Sequence, residues 1–464
     1  MAAGTDPDCM SAQTSAGKVY SLKDCMEYAV SNSTDIRIRQ ADNNDLRISR
    51  RDAILAAFTP NVSAGASAYS NFGRAVDPET NTYITTASFS NAYSVSAGIT
   101  LFNGFQAVNN LRISRTAMAM GISQEQQIRD RICLATIEAY YNVVYYTGLT
   151  DILESEVKTA EESFRFVSRQ EELGQKSHAD VIQASADLAD REYQLTDARN
   201  RLADAYITLK DIMFWPIGDN LEIDCSSDMI RILDGSTASC GTATGPAVDN
   251  NGSLTYGNAY TGGIIEKAKE SLPEASIAKG NVDNARLELR TARWKLAPSL
   301  SVSGGWSTNF YTYPGKSGYI PEPFRVQLRD NSGEYLQLTM SIPIFGRLSK
   351  QSDIARKRNA LQRATATYEQ TMKDIEAEVL RAISDRNGAA AALIQAERRS
   401  DVYDEAFRLN RRKFEQGLIS PIEYRTASDS RLQARTERLN ARLQYDLRRR
   451  VVDYYSGIPY LMQE

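Results

Sequence analysis

The stretch Tyr93–Gly104, YSVSAGITLFNG, decides the reading of this chain, because its design returns at Leu336–Arg347 as LQLTMSIPIFGR. In the first copy Tyr93, Val95, Ala97, Ile99 and Leu101 alternate with Ser94, Ser96, Gly98 and Thr100. In the second, Leu336, Leu338, Met340, Ile342 and Ile344 alternate with Tyr335, Gln337, Thr339 and Ser341. A period of two predicts a strand with one apolar face. Each run covers about the ten residues that a tilted strand needs to cross a bilayer. Each then gives way to a long, polar, proline-free helical run that ends in a glycine turn. The turns are FRFVSRQEELGQKSHADVIQA (164–184) and RRKFEQGLISPIEYRTA (411–427). Phe102 to Gly174 and Phe345 to Gly417 are both intervals of 72 residues. Equal spacing between two such different elements predicts an internal duplication.

Working outward, each strong strand is preceded by a weaker one, NVSAGASAYSN (61–71) and LSVSGGW (300–306), and each of these follows a proline, Pro60 or Pro298. The predicted order is therefore an N-terminal extension (1–20), a first repeat (21–216), a linker rich in Gly, Ser, Thr and Asn (217–262), a second repeat (263–457) and a short tail (458–464). Strands are expected at about 61–71, 91–102, 299–307 and 334–344, with loops at 72–88 and 307–332. Long helices are expected at about 104–172, 177–214, 347–416 and 421–455. Some 65 helical residues would extend roughly 95 Å, a rod for which a single globular domain has no use. Ser21 is a plausible N-cap for the first short helix.

The composition excludes several classes. Of the 464 residues, 54 are basic and 58 acidic, which leaves no global nucleic-acid footprint. His178 is the only histidine, so a histidine-based metal centre is ruled out, and no metal or cofactor is expected. Walker A, dinucleotide and G-x-S-x-G motifs are missing, so no enzyme is indicated. A mean hydropathy of −0.42 and the lack of any run of about 18 apolar residues exclude a transmembrane helix, but not alternating membrane strands. Cys225 and Cys240 share one Gly/Ser/Thr-rich segment and are a candidate disulfide in an oxidising compartment, a reduced pair being equally open. The N-terminal run has neither a basic nor an apolar segment, so it is not an intact signal peptide. Either the protein is cytoplasmic or its leader has been removed.

Four strands cannot close a barrel, and hydrocarbon does not tolerate open sheet edges. Several chains are then required, and three would supply twelve strands. The alanine-rich stripes of the rods suit close helix packing into a wall, with charges left on the other faces.

At this point the sequence resembles the TolC-like outer-membrane efflux channels of Gram-negative bacteria, from about residue 20 to 456. The marks are Pro60 and Pro298 before the strands, LFNGF (101–105) and IFGR (344–347) at the junctions, and the two glycine tips. Phe102, Gly104, Phe345 and Gly346 are the junction residues. The resemblance implies a mixed α/β membrane protein: a homotrimer with a shared 12-stranded β-barrel, four strands per subunit, continued by a long antiparallel helical tunnel in the periplasm. It implies an outer-membrane location in contact with lipid, and a passive, gated conduit for small molecules fed by a periplasmic adaptor and an inner-membrane transporter. Gly174, Ser177 and His178, with Gly417, Ser420 and Pro421, would form the adaptor-docking tips. Tunnel-entrance candidates are Asp180, Gln183, Glu423, Arg425 and Thr426. Glu423 matches the first acidic position of the family's gate, whereas Thr426 replaces the second. Arg425 is expected to pair with Asp180 or Glu423. Acylation at Cys9 is disfavoured, because the preceding residues do not form a lipobox. Two other readings stay open on the residues alone: a conduit for protein export (type I secretion), and a soluble coiled-coil scaffold with no pore.

Overall fold

A computed structural model describes residues 19–76, 81–216, 218–224, 247–248, 254–255, 258–314 and 318–463. Cys9, Cys225 and Cys240 lie outside the described residues, so the candidate disulfide does too. The chain runs β1 (Val19–Tyr20), α1 (Leu22–Asn32), α2 (Thr34–Phe58), β2 (Asn61–Val76), β3 (Tyr83–Asn103), α3 (Gln106–Glu172) and α4 (His178–Ile212). After β4 (Glu222–Ile223), β5 (Ala247–Val248) and β6 (Leu254–Thr255) come α5 (Asn258–Ser271), α6 (Pro273–Trp294) and β7 (Ser299–Thr312). The chain ends with α7 (Phe324–Asp330), β8 (Gly333–Ser341), α8 (Ser349–Glu415) and α9 (Pro421–Tyr455). Helices α3 and α8 are each 67 residues long, and α4 and α9 are each 35. The duplication is therefore exact in length for the two long helical hairpins. Gly121 and Gly148 sit inside the unbroken helix α3.

Three of the four strands, β2, β3 and β7, extend further than the periodicity suggested, whereas β8 ends short of the expected 344. β2 and β3 pair from Asn61–Gly98 out to Val76–Tyr83, so most of the expected 72–88 loop is ladder. Backbone pairing continues there even where Gly73 and Arg74 break the alternation. The expected 307–332 loop likewise contains the end of β7 and the helix α7. β8 stops at Ser341, two residues before Pro343, which has no N–H for a ladder.

The chain divides into two compact units. One comprises Ala41–Ser123 and Ile277–Gln370. It holds a four-stranded antiparallel sheet in the order β2-β3-β7-β8. Directly opposed residues share a face, and the registers produce transverse rows. On one face lie Val62, Ala97, Gly304 and Leu336, then Ile99, Val302 and Leu338, then Phe102, Leu300 and Met340. The other face carries Ser63, Ser96, Gly305 and Tyr335, then Asn61, Gly98, Ser303 and Gln337, then Thr100, Ser301 and Thr339. Gly305 is needed there, because a Cβ would stand 2.7 Å from the Val95 carbonyl oxygen and 2.9 Å from the Tyr335 ring.

β8 is shorter than β7, and α7 covers the rest of that β7 edge. The Gln327 side chain accepts from Tyr311 N at 3.0 Å and donates to Tyr311 O at 3.0 Å, as a strand residue would. Asn331 Nδ2 donates to Asn309 O at 2.8 Å, and Thr308 Oγ1 donates to Leu328 O at 2.7 Å. Phe324 packs against Tyr93 and Phe310.

The other unit comprises Met1–Gln40, Gln124–Ser276 and Thr371–Glu464. Its main core gathers α1, the middle of α3, the end of α4 and the tail around Met26, Ile137, Tyr140, Leu209 and Tyr460. The Ser21 expectation is met in full: Ser21 and Asp24 form a reciprocal capping box at the start of α1. Two buried carboxylates of this unit are matched by tyrosine hydroxyls. Tyr454 Oη donates to Asp130 at 2.9 Å, and the Tyr141 hydroxyl donates to Asp446, which Arg450 also contacts. A smaller cluster of Val167, Ala184, Phe407, Phe414 and Tyr424 packs behind the two glycine turns.

Candidate functional site

The two turns that join α3 to α4 and α8 to α9 are built the same way. Gly174 and Gly417 have φ of 72° and 73°, the left-handed conformation that ends a helix without a Cβ clash. Gln175 N donates to Gln170 O at 2.8 Å, and Leu418 N donates to Lys413 O at 2.8 Å, the six-to-one bond of a Schellman motif in both copies. The returning helices then start on serine. Ser177 and Ser420 accept from the backbone N–H groups of Asp180 and Glu423, whose carboxylates accept in return from the two serine N–H groups. Pro421 fills the first helical position of α9, where no N–H is needed.

This places two of the expected entrance residues in a second role. Asp180 and Glu423 are the acidic members of capping boxes, and those hydrogen bonds from serine hold both carboxyls below the usual carboxylate range. The signal is legible at both turns as S-x-x-[DE], SHAD (177–180) and SPIE (420–423). Gln183 is half-buried on α4, whereas Thr426 is exposed and returns its hydroxyl to Ile422 O at 2.9 Å. His178 is exposed, with Nδ1 2.8 Å from Glu171 Oε1.

Arg425 departs from the expectation. It pairs with neither Asp180 nor Glu423, but with Asp190 at 2.6 Å and Asp187 at 3.3 Å. The reason is geometric: Asp180 and Glu423 are held by their own serines, and Asp187 and Asp190 lie about two to three turns further from the tip than Asp180. Arg191 joins the same cluster through Asp429 and Asp187, with only 2% of its side chain exposed. Burial raises the Asp187 carboxyl despite the neighbouring Arg191 and Arg425. Sequence reading missed this cluster because its five members come from α4 and α9, 190 and 425 being neighbours only in space. The aromatic stack beneath it was missed for the same reason. Tyr424 stacks on Phe414 at 4.5 Å and leans on Phe407 at 5.5 Å. Nearby, buried Glu156 accepts from Ser428 Oγ at 2.9 Å and pairs with Arg431, whose guanidinium lies 3.7 Å above the Phe407 ring.

The strand-to-helix junctions differ more between the copies than the tips do. At the first, Gly104 and Phe105 both take positive φ, and a Cβ on Gly104 would lie 2.2 Å from the Trp294 carbonyl oxygen. Phe102, Phe105 and Trp294 form an edge-to-face chain over this close approach. At the second, Arg347 and Leu348 take the positive φ values, while Gly346 does not and Phe345 is exposed. Pro60 and Pro298 directly precede β2 and β7. No group of side chains that could hold a metal ion occurs among the described residues.

Comparison with known proteins agrees with this architecture. The family model described as "Outer membrane efflux protein" matches residues 28–213 and 264–453, one segment in each repeat and most of the chain. No curated protein sequence matches. The fold is similar to that of CusC, solved in work on folding and transmembrane channel formation, with a TM-score of 0.75 and 16% identity over 94% of this chain and 92% of that one. It is also similar to the CmeC outer membrane channel of Campylobacter jejuni (TM-score 0.71, 14% identity, 95% and 85% covered). The open state of the Neisseria gonorrhoeae MtrE outer membrane channel gives a TM-score of 0.68 at 15% identity, with 94% and 88% covered. With the family model spanning both repeats, the chain belongs to the outer membrane efflux protein family and is an outer-membrane conduit, not an enzyme.

Proposed function

We propose that three copies of this chain share one twelve-stranded barrel in the outer membrane, and that their long helices continue it as a periplasmic tunnel. The observation that carries this reading is the four-stranded sheet. Leu336, Leu338 and Met340 on its apolar face are 84%, 66% and 61% exposed in the single chain, and β2 and β8 each leave an edge without a partner in the sheet. Such a face needs an apolar cover and such edges need strands; a bilayer and two further copies supply both. The conduit is passive. It receives small molecules from an inner-membrane transporter through a periplasmic adaptor that docks on the tips at Gly174, Ser177 and His178 and at Gly417, Ser420 and Pro421.

The three Glu423 carboxylates form an acidic ring at the tunnel entrance. The capping box supports this role, because it fixes the carboxylate at the helix start and keeps it ionised to lower pH than an ordinary glutamate. A ring of carboxylates favours cations. Reversal potentials of the purified channel in planar bilayers under a salt gradient test it. Glu423→Gln retains a capping partner for Ser420 and is expected to lower cation preference; unchanged selectivity would remove the ring from the mechanism.

A further inference from the structure

We infer that the barrel section is a charge-neutral, hydroxyl- and amide-lined passage that does not discriminate by the sign of the solute's charge. The inference rests on the conduit reading and deepens it. Only two charged residues occur in the four paired strands, Arg74 and Glu334. The registers place both on the face that carries Val62, Val302 and Leu338: Arg74 lies an even number of residues from Val62, and Glu334 from Leu338. Arg74 is further drawn aside, with its guanidinium 4.4 Å from the centre of the Tyr83 ring.

The opposite face therefore carries no formal charge anywhere along the ladder. It is not bare backbone either. Ser63 and Ser96 hydroxyls meet at 3.0 Å, Tyr335 covers Gly305, and Gln337 stands opposite Ser303. Threefold repetition multiplies this lining without adding charge. A charged lining would concentrate one sign of solute by roughly 10–10³, and this wall has no group to do so. Hydroxyls and amides both donate and accept, so they replace lost hydration for a cation, an anion or a neutral polar solute alike. Any charge filter in the channel must then reside outside the barrel.

Cysteine accessibility in intact cells tests this independently of the tips. Ser96→Cys and Ser303→Cys are made in a chain with Cys9, Cys225 and Cys240 replaced by serine, and Val302→Cys serves as the apolar-face control. Reagents applied from outside are a trimethylammonium-ethyl and a sulfonatoethyl methanethiosulfonate, matched in size and opposite in charge. The expected result is labelling at Ser96→Cys and Ser303→Cys, with cation and anion rates within a few-fold after correction for intrinsic reactivity, and none at Val302→Cys. A cation-to-anion ratio differing by roughly tenfold or more, the effect of a charged lining, would overturn the neutral wall. So would labelling at Val302→Cys in place of Ser303→Cys. Wild-type protein that forms no pore in planar bilayers would instead overturn the conduit reading, and the inference with it.

Discussion

At the scale of single residues, glycine does two opposite things in this chain. Gly174 and Gly417 hold positive φ with nothing within 4 Å of an added Cβ, so replacing them costs backbone strain alone. Gly388 sits inside α8 with ordinary helical φ and the same open surroundings. Gly417→Ala is expected to destabilise by about 1–2 kcal/mol, and Gly388→Ala to stabilise by about 0.5–1 kcal/mol. Thermal melts of the purified protein check the pair; the same sign for both would refute the left-handed reading of the tip. Gly417 was legible in the sequence as a turn because it interrupts a long helical pattern. The role of Gly104 was not, since the Trp294 carbonyl that excludes a side chain there is 190 positions away.

At the scale of elements, the α8–α9 hairpin is joined by a ladder of ion pairs. Arg435 meets Asp404 at 2.7 Å, Arg438 meets Asp401 at 3.8 Å and Arg442 meets Glu397 at 3.7 Å, stepping back along α8 as α9 advances. Exposed pairs of this kind are worth about 0.2–1 kcal/mol each and are screened by salt. The melting temperature is expected to fall as ionic strength rises. Replacing Arg435, Arg438 and Arg442 together by glutamine should flatten that dependence, and an unchanged salt slope would show that the ladder contributes nothing. In the sequence these arginines are charged positions of the returning helix and nothing more. Their partners were hidden because a helix pattern fixes which residues share a face, not the register of an antiparallel neighbour. Element lengths were far more legible: period and breakers placed both long hairpins within a few residues, since no packing detail is needed to see where proline and glycine stop a helix.

At the scale of the whole molecule, assembly depends on which sheet face meets lipid. Leu338→Arg would put a charge on the apolar face, at a cost of about 2–4 kcal/mol near the middle of a bilayer. Outer-membrane fractions should then contain much less of this variant than of Thr339→Arg, its neighbour on the hydroxyl face. Equal recovery would contradict the face assignment. That assignment was readable from alternation alone, because a period of two leaves each side chain only two directions. The height of the sheet was not, because β2, β3 and β7 continue through stretches where alternation fails and pairing is sustained by backbone bonds.

The amide of Gln327 has one more consequence. A protomer arriving at the membrane without its partners is a sheet with exposed edges, and such edges template indiscriminate strand addition. Along the outer part of β7 that hazard is already removed, because Gln327 and Asn331 occupy the backbone groups of Tyr311 and Asn309 from within the same chain. The β7 edge therefore offers a stray polypeptide no foothold beyond the end of β8, and what is left to extend is the free edges of β2 and β8 and the outer end of β3, which runs past β7.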